Sequence, residues 1–155
     1  MKKKVYLITI IGIILDQISK LLIVSKLPLG ESKTIIKKFF YITHVNNTGA
    51  AWGMFSNNTI LLIIISILFT GFFIYFIEHN KLKLYEEISS GLILSGIIGN
   101  MIDRIFRRYV VDFLNFYIFG YDYPVFNIAD TFIVVGVIVL CIFYIKEAVT
   151  SWKKD

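Results

Sequence analysis

The sequence predicts an all-α polytopic membrane protein with four transmembrane helices. Of its 155 residues, 57% are hydrophobic, and the mean hydropathy of +0.74 lies outside the range of soluble domains. One apolar block, Thr59 to Ile77, contains no charged residue over nineteen positions. At 1.5 Å per residue, such a block nearly crosses a hydrocarbon core of about 30 Å. The four blocks that predict the helices are residues 5–24, 59–77, 88–106 and 126–145.

The first block follows a basic start, MKKK, and so resembles a secretory signal peptide. The run continues through Asp16, Gln17 and Lys20, however, and the SKLPLG segment after it has no small-residue cleavage site. We therefore expect this block to remain as the first helix. All 155 residues are expected to form a single membrane-embedded domain.

Two long loops, residues 25–58 and 107–125, are expected on one side of the membrane, because the second and third helices carry the chain across and back. In the first loop, FFYITHV (residues 39–45) is rich in aromatic and β-branched residues, which favours a strand. Trp52 and Phe55 follow a turn signal and belong either to an interfacial aromatic belt or to a substrate-lining surface. Both chain ends and the short connection between the second and third helices are expected on the other side.

The basic residues do not decide which side is cytoplasmic. Eight lie on the side of the chain ends and eight on the side of the long loops, so the positive-inside rule gives a tie. The cluster Lys2 to Lys4 beside the first helix favours cytoplasmic termini. The net charge of +5 is spread along the chain without a nucleic-acid motif, so membrane lipids rather than nucleic acids are the expected partners.

Polar side chains recur where the blocks approach the long loops. Asp16 and Lys20 are four residues apart on one helical face and can pair, and Gly96 and Gly99 allow another helix to approach closely. A charge at the bilayer centre costs about 2.5–3.5 kcal/mol, so this convergence predicts a site, although the Asp16–Lys20 pair could equally serve only to orient the first helix. The polar positions at this level are Asp16, Lys20, Asn100, Asp103, Arg104, Asp112, Asn127 and Asp130.

Carboxylates are the groups at this level that could carry chemistry. His44 and His79 fall on opposite sides, and no histidine or cysteine pair has metal-ligand spacing, so neither a metal nor another cofactor is expected. No serine or cysteine has a histidine beside it, which excludes the usual nucleophilic arrangements. Two neighbouring aspartates can share a proton and activate water against an amide. Asp112 with Asp130 suits that role, and Asp103 could replace either.

Two other classes of function remain open from the residues alone. One is transport, in which an intramembrane carboxylate relay carries protons or a small cation; four helices are few for that unless the protein oligomerises. The other is a structural or accessory subunit, in which the charged pairs merely hold helices together. A scan of single carboxylate substitutions would separate these classes from a peptidase.

Five segments, taken in order, resemble the lipoprotein signal peptidase (signal peptidase II) family over essentially the whole chain. They are DQISK (16–20), NNTGAAWGMF (46–55), GIIGNMIDR (96–104), VVDF (110–113) and FNIAD (126–130). The resemblance implies an aspartic endopeptidase that removes the signal peptide from bacterial prolipoproteins, cutting just before a cysteine that carries diacylglycerol. It implies a multi-pass protein of the cytoplasmic membrane with cytoplasmic termini and a site near the outer surface. It also implies a small β-sheet and an interfacial helix in the outer loops.

The resemblance assigns the catalytic pair to Asp112 and Asp130. We expect a monomer whose partners are prolipoproteins and membrane lipids, with a substrate groove between the first, third and fourth helices. Asp103 is expected to be structural. The substrate-binding or supporting positions are Asp16, Lys20, Asn47, Trp52, Gly96, Asn100, Arg104 and Asn127.

One position departs from the family's pattern. The family usually has a glycine two residues before VVDF, where this chain has Arg108. Either the turn that positions Asp112 differs here, or Arg108 reaches lipid headgroups. Arg107 and Arg108 are both expected at headgroup level, where cations are favourable.

Overall fold

The computed structural model describes residues 2–49, 54–56 and 58–152, so Trp52 lies outside the described residues. Three of its four long helices, the first, second and fourth, have the length and apolar composition needed to cross a membrane. The elements in chain order are α1 (Lys3–Lys26), β1 (Ser32–Ile36), β2 (Phe40–Asn47), α2 (Thr59–His79), α3 (Leu84–Arg107), β3 (Val110–Ile118), β4 (Tyr121–Asp122) and α4 (Ile128–Trp152).

The helices extend beyond the apolar blocks that predict them. The third was expected from residue 88 and begins at Leu84, where the Lys83 backbone N–H donates to the Glu86 carboxylate at 2.7 Å. The fourth was expected to end at residue 145 and continues to Trp152. Capping and helix propensity set where a helix ends, whereas hydropathy sets only which part of it suits lipid.

The loops on the site side fold into one antiparallel sheet of four strands in the order β1-β2-β3-β4. The small β-sheet expected in the outer loops is present, and β2 is the strand that FFYITHV predicts. The sequence did not single out β3, which lies in the loop 107–125 and pairs with β2 so that Asn47 lies opposite Val110 and Val45 opposite Asp112. Asp112 therefore stands in a central strand. In the described parts of these loops the chain forms strands and turns but no helix, so the interfacial helix was not found there.

The third helix is the centre of the bundle, and α1, α2 and α4 all pack against it. Most of its buried residues are small or polar, whereas the large apolar side chains of α1, α2 and α4 are largely exposed on the outside of the bundle. Such a surface suits lipid. The polar side chains lie within the bundle, and those at the end that carries the sheet form the site.

Candidate active site

The start of α4 fixes the direction of the Asp130 side chain. Asn127 precedes the helix, and its side-chain oxygen accepts the Asp130 backbone N–H at 3.0 Å. In return, the Asp130 carboxylate accepts the Asn127 backbone N–H at 3.2 Å, which completes a capping box. A third N–H of this first turn, from Ala129, donates to Asp16 of α1 at 3.0 Å. Carboxylates are stabilised at this positive end of a helix.

Asp112 reaches the same place from β3. Its side chain is 2% exposed, and its two oxygens accept hydrogen bonds from the side-chain amides of Asn47 at 2.8 Å and Asn127 at 2.7 Å. Burial, and after it the negative charge of Asp130, raises the pKa of Asp112 to about 7, against the lowering effect of the two amides. The carboxyl group can therefore both hold and release a proton near neutral pH.

The side-chain amides of Asn100, in α3, and Asn127 link the carboxylates of Asp112 and Asp130. The Nδ2 of Asn100 donates to Asp130 at 2.8 Å, and its Oδ1 accepts from Lys20 at 2.8 Å and from Asn127 at 3.1 Å. The same Asn127 amide nitrogen donates to Asp112. A continuous hydrogen-bonded path, with every donor matched to an acceptor, therefore joins Asp112 to Asp130.

A fully buried group of charges lies behind this path. The Lys20 ammonium contacts Asp16 at 2.8 Å and Asp103 at 3.1 Å, and all three side chains are 0% exposed. The pairing of Asp16 with Lys20 is the one that their spacing predicts. Asp103 also accepts the Val111 backbone N–H at 3.1 Å and forms an ion pair with Arg107.

These contacts bear on two expectations and add one residue. Arg107, expected at the lipid headgroups, also forms an ion pair with buried Asp103, and its side chain is 21% exposed. Asp103 is held by four partners and does not line the cavity beside Asp112, which makes it a poor substitute for either aspartate. Gln17 was not singled out, yet its amide donates to Asp16 at 3.1 Å and to Asp103 at 3.2 Å. Its position within the DQISK segment, between Asp16 and Lys20, could have identified Gln17 as a site residue.

Two glycines of α3 allow the close approach that the sequence predicted. A Cβ atom added to Gly96 would fall on the Ala129 carbonyl oxygen of α4. One added to Gly99 would lie 2.6 Å from the Asp16 carboxylate. Any side chain at either position would push α4 or α1 away, and the hydrogen bond from Ala129 to Asp16 would be stretched.

Arg104 holds the turn that follows β2. Its guanidinium donates to the Gly49 carbonyl at 2.9 Å and, at 3.4 Å, to the carbonyl of Asn100 one turn earlier. The Gly49 N–H in turn donates to the Asn47 side-chain oxygen at 2.9 Å. This leaves the Asn47 amide nitrogen free to face Asp112, as observed. Arg104 thus acts on the site through Asn47.

A cavity of about 1210 Å³ opens beside Asp112 and Asp130. Its walls come from α2, α3, α4 and the sheet, and they are mostly apolar. The groove was expected between the first, third and fourth helices. Residues of α3 and α4 do line the cavity, but the expectation was wrong for α1: α2 forms the remaining helical wall, and no described residue of α1 lines it. The polar groups along the wall are those of Asn46, Asn47, Thr48, Ser56, Ser66, Asn100, Arg104, Asp112, Tyr123, Asp130 and Thr131.

The turn before β3 keeps a glycine-like backbone although it contains an arginine. Arg108 ends α3 with φ of 70°, and its N–H donates to the Arg104 carbonyl at 3.2 Å. This left-handed conformation is the one that glycine adopts without strain, which explains why a glycine suits the position. Of the two alternatives, this backbone gives no support to a different turn, and the Arg108 side chain is exposed.

Comparison with known proteins agrees with the resemblance seen in the five segments. Residues 8–146 match the family described as signal peptidase (SPase) II. A solved structure described as a bacterial membrane enzyme, determined by the in meso method at 2.3 Å resolution, is 37% identical, with a TM-score of 0.87 over 93% of this chain and 88% of its own. A second with the same description, at 1.9 Å resolution, is also 37% identical, with a TM-score of 0.83 over 92% of each chain.

The predicted family is therefore confirmed, and with it the assignment as a membrane-embedded hydrolase. The family match covers all four strands and the whole of α2 and α3. It also covers α1 from residue 8 onward and α4 as far as residue 146. The chain belongs to the signal peptidase II family, and it is a membrane peptidase that processes the signal peptides of prolipoproteins.

Proposed function

We propose that the chain is an aspartic endopeptidase that cuts prolipoproteins just before their diacylglyceryl-modified cysteine, with Asp112 and Asp130 as the catalytic pair. One observation carries this proposal. Two carboxylates from different elements meet at the polar part of a large apolar cavity, and the amides of Asn100 and Asn127 join them. A water molecule and a scissile peptide bond at that point would face both carboxyl groups.

The chemistry follows from one proton shared by the pair. The ionised carboxylate takes a proton from water as the water oxygen attacks the scissile carbonyl carbon, while the protonated carboxyl group donates to the carbonyl oxygen. The tetrahedral intermediate, a gem-diol, then collapses. The protonated carboxyl group protonates the leaving nitrogen as the C–N bond breaks, and the ionised carboxylate takes a proton from a hydroxyl group of the gem-diol, which leaves the pair with one shared proton again. The pKa of about 7 for Asp112 suits this exchange, because a group titrating near the working pH transfers protons in both directions.

The apolar wall suits a substrate that arrives from the bilayer. A signal segment and two acyl chains are apolar, and each buried methylene contributes about 0.8 kcal/mol. Binding of these remote groups would hold the scissile bond at the depth of Asp112 and Asp130. Trp52, outside the described residues, is proposed to lie over the substrate without taking part in proton transfer.

We further propose four membrane spans, with both termini in the cytoplasm and the site near the outer surface. α3 is proposed as the fourth span because its fifteen residues 88–102 carry no charge and three apolar helices surround it. A reporter fused after Asp155 should then read as cytoplasmic, and a tag between Gly30 and Ser32 should be cut by protease from outside. Protection of that tag in cells with an accessible outer membrane surface would contradict the orientation.

The deciding experiment measures cleavage of a diacylglyceryl-modified prolipoprotein by the purified protein. Asp112→Asn and Asp130→Asn should each lower the rate by about 10³-fold or more, because an amide keeps the shape but cannot exchange the proton. Asp122→Asn, an exposed change on β4, is the matched control and should keep the wild-type rate. Near-normal turnover in either test variant would rule out the catalytic pair, and no cleavage by the wild type would favour a transport or accessory role.

The same assay tests recognition. A precursor that lacks the diacylglyceryl group should be cut far more slowly, and Trp52→Ala should weaken cleavage without abolishing it. Equal rates on the two substrates would reject lipid recognition while leaving the aspartyl chemistry intact.

A further inference from the structure

We propose that Asp103 and Arg107 are positioning residues that hold the Asp112–Asp130 pair at one shared proton by balancing the charge buried around it. Neither residue lines the cavity, and neither has a role in the reaction described above. The inference rests on the proposed aspartyl activity and adds to it what sets the protonation of the pair.

The buried and half-buried charges at the sheet end of the bundle do not cancel on their own. Four carboxyl groups face three cations, so the group is neutral when one carboxyl group carries a proton. Unbalanced charge in a region of low dielectric is costly, so the lowest-energy state of the intact group has one proton. The carboxyl groups are Asp16, Asp103, Asp112 and Asp130, and the cations are Lys20, Arg104 and Arg107.

The other charged side chains that the structure describes at this end are exposed, and solvent screens their charge; they are Lys26, Glu31, Lys33, Lys37, Lys38 and Asp122. The only charged or imidazole side chains of α2, those of Glu78 and His79, lie at its far end. On β2, His44 is buried, with its Nδ1 2.8 Å from the Leu27 carbonyl oxygen. Arg108 is exposed to solvent at the end of α3, where its charge is screened.

Asp103 is joined to the catalytic pair by short contacts on two sides. Through Lys20 it reaches Asn100, which donates to Asp130. Through the Val111 N–H it is tied to the residue next to Asp112 in β3. Its carboxylate is 0% exposed, so water screens its charge poorly. Arg107 offsets one negative charge from the partly exposed side of the group.

The two residues must therefore act in opposite directions. Without the negative charge of Asp103, three carboxyl groups face three cations, and the pair loses its proton more readily. Without the positive charge of Arg107, four carboxyl groups face two cations, and the pair holds its proton to higher pH. A nearby charge moves a titration by about one pH unit or more.

The test is the pH profile of kcat/KM on the lipidated prolipoprotein for Asp103→Asn, Arg107→Met and the double variant. We expect the profile to move down by about one pH unit for the first and up by about one pH unit for the second. In the double variant it should return close to the wild-type position, because the opposite charges are removed together. Glu147→Gln, in an exposed ion pair at the other end of the bundle, should leave the profile unmoved.

A purely structural role predicts lower rates with an unmoved profile, and that outcome would overturn the inference. Shifts of both single variants in the same direction would also overturn it. If Asp103→Asn does not fold, Arg107→Met still decides, because an unmoved profile there is sufficient to reject the inference. Asp112→Asn is measured beside these variants: if it cleaves normally, the proposed aspartyl function itself fails, whereas an inactive Asp112→Asn with unmoved profiles rejects only the charge balance.

Discussion

Each end of the helix bundle has an ion pair between a lysine and a carboxylate, but the two pairs differ in burial. At the end that carries the chain termini, Lys83 and Glu147 pair at 2.5 Å with side chains 58% and 43% exposed. At the sheet end, Lys20 and Asp16 pair at 2.8 Å and are fully buried. An exposed pair contributes about 0–1 kcal/mol, whereas each desolvated ion costs several kcal/mol that only good partners offset.

The difference lies in how completely the buried groups are partnered. Tyr85 and Lys83 both donate to the Glu147 carboxylate, and water can replace either of them. The Lys20 ammonium has three acceptors within the protein, namely Asp16, Asp103 and the Asn100 side chain. A helix bundle with no function beyond membrane insertion could have exposed ion pairs at both ends. A buried, fully partnered group of charges is useful where carboxyl groups must be kept from water, which agrees with the proposed chemistry.

Replacing the lysine of each ion pair should give the largest difference in stability between the two ends. Lys20→Met leaves two carboxylates buried without their cation and should lower the free energy of unfolding by about 3–5 kcal/mol. Lys83→Met removes an exposed partner and should change it by less than about 1 kcal/mol. Thermal unfolding of both variants in one detergent measures the difference. Equal losses would show that the sheet end is no more dependent on its charges than the other.

The burial of Asp112 should make stability depend on pH. A carboxyl group whose pKa is about 7 in the folded protein, above its unfolded value of about 4, contributes stability that is complete below pH 4 and is lost as the pH rises through 7. The loss approaches about 4 kcal/mol at most, at about 1.4 kcal/mol for each pH unit.

Unfolding temperatures of the wild type and Asp112→Asn between pH 4 and 8 measure this contribution. The wild type should lose stability over that range, and the variant should lose less because its amide does not titrate. Asp122→Asn, on the exposed β4 strand, should follow the wild-type curve. Parallel curves for the wild type and Asp112→Asn would contradict the effect of burial.

The packing at the sheet end can be tested with a single methyl group. Gly96→Ala places a Cβ on the Ala129 carbonyl oxygen and should lower the free energy of unfolding by about 1–3 kcal/mol. Gly71, in the middle of α2, has no atom within 4 Å of an added Cβ, so Gly71→Ala should be neutral or raise stability by about 0.5–1 kcal/mol. Thermal unfolding measures both, and a neutral Gly96→Ala would contradict the close approach of α3 and α4.

The three apolar helices that could span a membrane were predictable from the sequence because hydropathy is a local property, and so were the polar positions, because helical spacing is local too. Asp16 and Lys20 pair as their spacing requires. The β3 strand was not singled out, although VVDFLNFYI is rich in β-branched and aromatic residues like the segment that predicted β2. Its partner β2 lies more than sixty residues earlier, and that pairing is not a local property. The groove was assigned to α1 in place of α2, because side-chain spacing shows which residues share a face but not which helix that face contacts.

The smallest predicted effect concerns the turn that joins α3 to Asp112. Arg108 adopts φ of 70°, a conformation that costs a side-chain-bearing residue about 1 kcal/mol relative to glycine. Arg108→Gly should therefore raise the free energy of unfolding by about 0.5–1 kcal/mol without changing cleavage, since the Arg108 backbone contacts do not involve its side chain.

The reverse change provides the control for this turn. Gly120 has φ of 82° with no atom within 4 Å of an added Cβ, so Gly120→Ala should cost a similar amount through backbone strain alone. Thermal unfolding measures both variants. If Arg108→Gly instead destabilises the protein, its side chain must contribute more than the strain costs, through lipid headgroups or through the stem of the arginine lying on apolar surface. Repeating the measurement in vesicles of neutral and anionic lipid would separate these two causes, because only headgroup binding depends on the charge of the lipid.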